Sequence, residues 1–593
     1  MAGVRPGELF VRYERALGDE TAWLVLAVLG ALAYVAATTR WREPPFRVPR
    51  WAPAAALAAI AALAIAWAWQ LRWLSDDAFI SFRYARNWVD GHGLVFNVGE
   101  PVEGYTNFLW TAILAGAYAL GAGIPATAVV LCLASHVGVL ILTTRLARRL
   151  APQGRPVLVS LAAIAIAASY LTATYATGGL ETTFGALLVL AALEQAHAGR
   201  PLAAGALGIA ATMAHPDHAI FYVVLGGVLL ARRTKLRGLL LYAAPFFLVF
   251  VPYFAWRWNY YGLPLPNTYY TKSGGDAYWS QGGVYLIVSA VAAGLLGALP
   301  LAVYGAVRRA RDLRVQFAIV AIPLYLIYVA KIGGDFMLGR LLIPVLPLYL
   351  VLAETGARVL IDERRWRWAA PALVAASLAA VPTRIIRHQE FSPWGITDER
   401  TFYRFGSLVP LELQGSIPRR VKMLHRYFEG RDPPPVYAAF AIGILGWVTS
   451  WPVVDIHGLI DRELSAQPLA KRGRPGHERR ATPAHIIKRG ADLSAMGVHG
   501  ARYDAVTKIV LDVETYSLTR YRAHLLDPLR DRPEVRFTRF PEHIDEYLAT
   551  AASRTPAEIR IDLDFFDRYY FAYNPDPVRR QKLAELAEGA GRP

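Results

Sequence analysis

Long apolar runs of Ala, Leu and Val recur along this chain from Trp23 to about Val381, many close to the ~20 residues that span a bilayer, and then they stop. With 593 residues, 55% hydrophobic and 18% charged, the chain is too apolar for a soluble protein of its size, where about a quarter of residues carry charge. The expected fold is a polytopic α-helical membrane protein. Residues 52–382 form its core, 1–51 supply an extra amino-terminal span and cytoplasmic loop, and 383–593, of soluble composition, form a small α/β domain. The formal charge of +17 fits basic cytoplasmic loops and contact with anionic membrane lipids, and nucleic acid is not an expected partner. Cys132 is the one cysteine and lies in an apolar run, which leaves neither a disulfide framework nor a thiolate metal site. The first 21 residues mix Arg5, Arg12 and Arg15 with Glu8, Glu14, Asp19 and Glu20, unlike a cleavable signal peptide, so the first span is expected to stay.

Arginine-rich turns set the sidedness, because carrying Arg or Lys through the bilayer centre costs ~3 kcal/mol each. Arg40, Arg42, Arg47 and Arg50 place the turn between spans 22–38 and 52–70 in the cytoplasm, and Asp76 then lies outside. The apolar piece from Phe108 to Leu120 is expected along the outer membrane surface, with the true crossing at 125–147. Further spans are expected over 156–173, 182–197, 201–213, 217–231, 238–256, 283–306, 315–330, 341–358 and 368–382. They put Arg200 and the basic turns at 232–237, 308–311 and 364–367 inside. The result is about twelve spans, with both termini and the carboxyl-terminal domain outside.

That sidedness collects the unusual motifs on the outer face. They are Ser75-Asp76-Asp77 and the rest of the first outer loop, 71–124, with Glu103-Gly104-Tyr105-Thr106-Asn107; Gly178-Gly179-Leu180-Glu181; and His215-Pro216-Asp217-His218. The aromatic 260–272 stretch, holding Asn267 and Lys272, and Gly333-Gly334-Asp335-Phe336-Met337, just before Arg340, join them. After the aspartate pair, Ile80, Tyr84 and Trp88 recur at i, i+4 and i+8 opposite Arg83, Arg86, Asn87 and Asp90, which predicts an amphipathic helix lying in the interface. One aspartate is a natural helix cap; both cannot easily be. Adjacent carboxylates raise each other's proton affinity, which suits a general base, and they equally suit a divalent cation that neutralises a phosphate.

Candidate sugar or acceptor contacts are Glu103, Tyr105, Asn107, Glu181, Asn267 and Asp335, with Glu103 also a candidate cap for the helix after it. Candidate donor-phosphate contacts are Arg83, Arg86, Lys272, Arg340 and His215. Lys272 and Arg340 equally suit snorkelling anchors, and His215 with His218 equally suits a metal pair or a polar turn. In the last third, 453–456, 508–513, 535–540 and 559–563 read as strands. The Gly-containing turns from Asp455 to Asp461 and at Gly476-His477-Glu478 are expected to close over the membrane site.

Asp76-Asp77-Ala78-Phe79-Ile80-Ser81-Phe82-Arg83-Tyr84-Ala85-Arg86-Asn87, Gly91-His92-Gly93-Leu94-Val95-Phe96-Asn97 and Val102-Glu103-Gly104-Tyr105-Thr106-Asn107-Phe108-Leu109-Trp110 together resemble the first outer loop of GT-C membrane glycosyltransferases. Within that class the chain is most similar to the terminal β-(1→2)-arabinofuranosyltransferases of mycobacterial cell-wall synthesis and their bacterial relatives. The motifs at 178–181, 261–268, 333–337 and 455–461 share the likeness. The resemblance implies a polyprenyl-phosphate sugar donor, a cell-envelope glycan acceptor, and transfer with inversion on the outer face of the cytoplasmic membrane, with arabinofuranose as the sugar. It also implies that Asp76 is the base that activates the acceptor hydroxyl, with Asp77 supporting it or contacting the acceptor. The chain departs from the family where relatives often carry Arg-Pro-Glu/Asp and it has His215-Pro216-Asp217, and the span before Arg40 looks additional.

Inverting transfer needs an acceptor hydroxyl deprotonated in line with the anomeric carbon and a stabilised phosphate leaving group. A lipid-linked-sugar transporter would place ionisable residues mid-span within a repeat, whereas here they sit at span ends and no repeat of fixed period is present. A scaffold protein gives no reason for several polar motifs on separate outer loops. A polyprenyl-linked glycan ligase or polymerase stays open.

Overall fold

The computed structural model describes residues 49–151, 160–272, 276–362, 395–469 and 472–589. The spans expected at 22–38 and 368–382, and the basic turns at 40–47 and 364–367, lie outside the described residues. Among the described residues four helices are long and apolar enough to cross a membrane: Ala52–Gln70, Ile124–Leu150, Leu236–Tyr261 and Leu313–Lys331. They make the chain a polytopic helical membrane protein. Trp279–Ala292 and Leu296–Arg308 would be a fifth crossing if taken as one, but they meet at 83°, so the continuous span expected over 283–306 is not formed. The one expected over 156–173 is also broken: Leu161–Ala168 ends at Ser169, whose backbone is extended, and Tyr170–Tyr175 starts afresh. Phe108–Ala119, Thr182–His197, Pro201–Ala214, Ala219–Ala231 and Leu346–Asp362 occupy the other apolar runs.

The carboxyl-terminal part is built on sheets. Strands β1 (Arg404–Leu408) and β2 (Leu411–Gln414) form an antiparallel pair. β3 (Tyr437–Ala439), β4 (Val453–Asp455), β5 (Leu493–Ser494), β6 (Lys508–Leu511), β7 (Glu514–Leu518) and β8 (Val535–Phe537) form a mixed sheet in the order β4-β3-β5-β7-β6-β8, with β3 parallel to β4 and β5. The strand expected at 559–563 is instead inside the helix Pro556–Phe566. Its local signal is a capping box: Thr555 and Glu558 exchange side-chain and backbone hydrogen bonds around Pro556 at the first helical position. Those bonds outweigh the β-branched look of Ile559 and Ile561.

Helix Asp76–Val89 corrects another expectation. It forms, but Arg83 is buried and Arg86 is half-buried. Arg83 sits 4.3 Å over the Phe96 ring and donates to the Trp451 carbonyl at 2.9 Å. Arg86 sits 4.4 Å over Trp447 and donates to the carbonyl of Trp447 and to Ser450 Oγ, each at 3.1 Å. Helix Gly443–Thr449 and the turn after it therefore cover Arg83 and Arg86, which the sequence offers as phosphate contacts.

Candidate active site

A cavity of about 380 Å³ is lined by residues from Asp76 to Arg340 and by residues from Glu399 to His477. Asp76 and Asp77 open onto it from the first turn of helix Asp76–Val89, where backbone N–H groups favour acidic side chains. Ser75 occupies the N-cap position, so neither aspartate caps this helix. Asp76 serves a distant one: its Oδ2 accepts the Gly443 N–H at 2.9 Å and its Oδ1 the Ile444 N–H at 2.8 Å. Asp77, among the described residues, makes no side-chain hydrogen bond or ion pair.

Burial raises the Asp76 carboxyl to about 6, against the lowering effect of those two amides. Burial also raises Asp77, while Arg340 and Lys272 pull it down. The charges around the two thus differ. Asp76 has the 443–444 amides and the Asp455 carboxylate near it, and Asp77 has both the Arg340 and Lys272 cations and the Asp335 and Glu181 carboxylates.

Of the predicted phosphate contacts, Lys272, Arg340 and His215 line the cavity. Lys272 is exposed and, among the described residues, forms no ion pair or hydrogen bond. Arg340 is built in: Ser81 Oγ donates to Asn107 Oδ1 at 2.9 Å, Asn107 Nδ2 to Glu181 Oε2 at 2.6 Å, and Arg340 Nη2 to Glu181 Oε1 at 2.9 Å. Asp335 lies 3.6 Å from its other terminal nitrogen. Asn107 and Glu181, expected as sugar contacts, line the cavity but spend these atoms orienting the guanidinium. His215 touches the buried Asp217, which also accepts from Tyr325 at 2.8 Å. Burial pushes the His215 imidazole down, but Asp217 more than offsets this and leaves it raised. Arg83 and Arg86 do not line the cavity, because their helix turns them toward Trp451 and Trp447.

Among the other candidates, Tyr105 lines the cavity and Glu103, Asn267 and Asp335 do not. Glu103 neither caps nor reaches the cavity: it forms a buried ion pair with Arg257 at 2.7 Å. Asn267 Nδ2 donates to the carbonyls of Gly458 and Leu459 at 2.9 and 2.8 Å, tying the aromatic loop to the carboxyl-terminal domain.

Both Asp76 oxygens already take amide hydrogens, and among the described residues no group of three or more His, Cys, Asp or Glu side chains is gathered to hold an ion.

The carboxyl-terminal wall brings residues that the motif reading did not assign: Glu399, Tyr403, Phe440, His457, Arg474 and His477. The signal available for two of them is the glycine-containing turn. Asp455 accepts the N–H groups of His457 at 2.8 Å and Leu459 at 2.5 Å, and Gly458 takes φ +88°, which together fold the turn that carries His457. Glu399, raised to about 8 by burial, pairs with Arg474 at 3.0 Å.

No family model matches the sequence. The chain is 32% identical over 364 residues to the terminal β-(1→2)-arabinofuranosyltransferase of Mycobacterium tuberculosis, covering 52% of this chain and 56% of that protein. It is 28% identical over 394 residues to the protein of the same name from Corynebacterium glutamicum, covering 57% and 56%. The chain spans about half the length of these curated relatives. Among solved structures it is similar to ArnT from Cupriavidus metallidurans bound to undecaprenyl phosphate, with a TM-score of 0.46 and 13% identity over 76% of this chain and 88% of that one. It is also similar to the Archaeoglobus fulgidus oligosaccharyltransferase tethered with an acceptor peptide, at 0.39 and 11%, over 74% and 64%.

Proposed function

We propose that this protein is an inverting GT-C glycosyltransferase that moves a sugar, arabinofuranose in the first instance, from a polyprenyl-phosphate donor to a cell-envelope glycan at the outer face of the cytoplasmic membrane. The observation that carries the reading is one cavity lined by both Asp76, whose carboxylate two backbone amides hold in place, and the basic side chains Lys272, Arg340 and His215. An in-line displacement needs both: a base for the incoming hydroxyl and cations for the departing phosphate. Asp76, held by two amides and with its proton affinity raised, takes the acceptor proton as the new C–O bond forms. Arg340, Lys272 and the His215 imidazole neutralise the polyprenyl phosphate as the bond from the anomeric carbon to its oxygen breaks. Asp77 sits where positive charge develops on the sugar ring, and its carboxylate stabilises it. The arabinofuranosyltransferase names of the two curated relatives support the choice of sugar.

The test is transfer by the purified full-length chain in lipid nanodiscs. It is given polyprenyl-phospho-arabinofuranose and an alkyl arabinofuranoside, and the anomeric configuration of the product is read by NMR. Transfer with inversion is expected. Retention of configuration, or no transfer from any of a panel of polyprenyl-phosphate sugars, overturns the reading.

A further inference from the structure

We infer that Phe440, His457 and His477 form a subsite for a sugar ring of the acceptor, on the cavity wall supplied by the carboxyl-terminal domain; this rests on the glycosyltransferase reading above. Phe440 follows β3 and lines the cavity with 41% of its surface exposed. The Arg480 guanidinium lies over this ring at 5.6 Å from its centroid, and the part of the ring left exposed suits the C–H face of a sugar, which is apolar on one side and hydroxylated at its edge.

Rings continue from it. His457 lies 5.6 Å from Phe440, His477 lies 4.7 Å from His457, and Phe336 of the membrane part lies 4.8 Å from His477. Their hydrogen bonds fix what the histidines offer. His457 Nδ1 is 2.9 Å from the Arg479 carbonyl and His477 Nδ1 is 3.3 Å from the Pro475 carbonyl. A carbonyl only accepts, so each Nδ1 carries the hydrogen, and the His477 ring, when neutral, presents a lone pair at Nε2. Burial, with Arg474 nearby, pushes the His477 imidazole down to about 3 and keeps it neutral. Among the described residues neither Nε2 has a hydrogen-bond partner.

Lone pairs repel a phosphate, whose oxygens are themselves acceptors, and they receive hydroxyl hydrogens. The lone pair at His477 Nε2 is therefore suited to a sugar hydroxyl, next to the open part of the Phe440 ring. Its place fits the same role. Phe440, Ala441 and Ile442 all line the cavity, and Gly443 and Ile444, next in the chain, hold the Asp76 carboxylate. A sugar stacked on Phe440 has its hydroxyls beside the base.

The experiment measures transfer by the full-length chain with an octyl arabinofuranoside and an arabinofuranosyl oligosaccharide as acceptors. Phe440→Ala should raise the acceptor KM about tenfold, Phe440→Trp should restore it, and the change in donor KM should be smaller. Wild-type turnover with an unchanged acceptor KM in Phe440→Ala overturns the subsite and leaves the transferase reading standing. Without wild-type turnover the transferase reading falls, and saturation-transfer NMR on the oligosaccharide decides the subsite alone. Signal lost in Phe440→Ala supports it, and signal unchanged overturns it.

Discussion

Asp76 and Gly443 stand 367 residues apart, and the Gly443 N–H donates to Asp76 Oδ2 at 2.9 Å. A Cβ on Gly443 would fall inside the contact radius of the Asp76 carbonyl, so the two backbones meet as closely as glycine allows. The carboxylate thus has two duties, joining the domains and facing the cavity.

Asp76→Asn should abolish transfer, by about a hundredfold or more, while the protein still inserts and folds. The amide can accept only one of the two N–H groups, which costs ~1–3 kcal/mol and lowers Tm modestly. Gly443→Ala should lower both Tm and transfer by displacing the domain. A well-folded Asp76→Asn protein with full activity would exclude Asp76 as the base.

Raising Asp76 from its ordinary value of 3.8 to about 6 predicts a kcat/KM that climbs as pH rises through about 6, as the base ionises. Stability should run the other way. Between those values the folded state holds a proton that the unfolded chain has released, so this contribution falls as pH rises through the window. Thermal melts of wild type and Asp76→Asn across that range read the difference directly, and parallel curves would exclude it.

Arg340 anchors Glu181 at 2.9 Å and lies 3.6 Å from Asp335, so Arg340→Ala strands buried carboxylates and should cost ~3–5 kcal/mol. Adding Glu181→Gln should recover part of the stability without recovering donor KM. Recovery of both would mean that Arg340 acts only as a structural counter-ion.

Glu103→Gln tests the opposite case. Breaking the buried pair with Arg257, 2.7 Å apart, should lower stability by ~3 kcal/mol and leave donor and acceptor KM nearly unchanged in the folded fraction. A selective rise in acceptor KM would return Glu103 to the sugar site.

A reporter that fluoresces only in the cytoplasm, fused after Pro593, should stay dark if the cavity faces outward, and bright cells would invert the topology.

The apolar runs were legible because bilayer thickness sets a length that composition alone can meet, and the helices at Ala52–Gln70, Ile124–Leu150 and Leu313–Lys331 follow them closely. The breaks were less so. Ser169 and the 83° bend before Leu296 lie inside continuous apolar sequence, where hydropathy has no contrast to offer. Asp76, Asp77, Arg340 and Lys272 stood out as charges at span edges. Arg83, Arg86 and Glu103 stood out for the same reason and went elsewhere, because a charge at an edge signals only that it needs a partner.

By itself the sequence determined that the chain carries apolar helices of membrane-spanning length and which motifs between them carry ionisable groups, since these depend on local length, polarity and spacing. Tertiary structure alone decided what each charge meets. The carboxyl-terminal domain buries the arginine face of helix Asp76–Val89, gives the Asp76 carboxylate two amide donors, and sets Phe440, His457 and His477 on the far wall of the cavity. Those contacts join residues hundreds of positions apart. Proton affinity and hydrogen-bond capacity are properties of that assembled surrounding, which no local stretch of sequence contains.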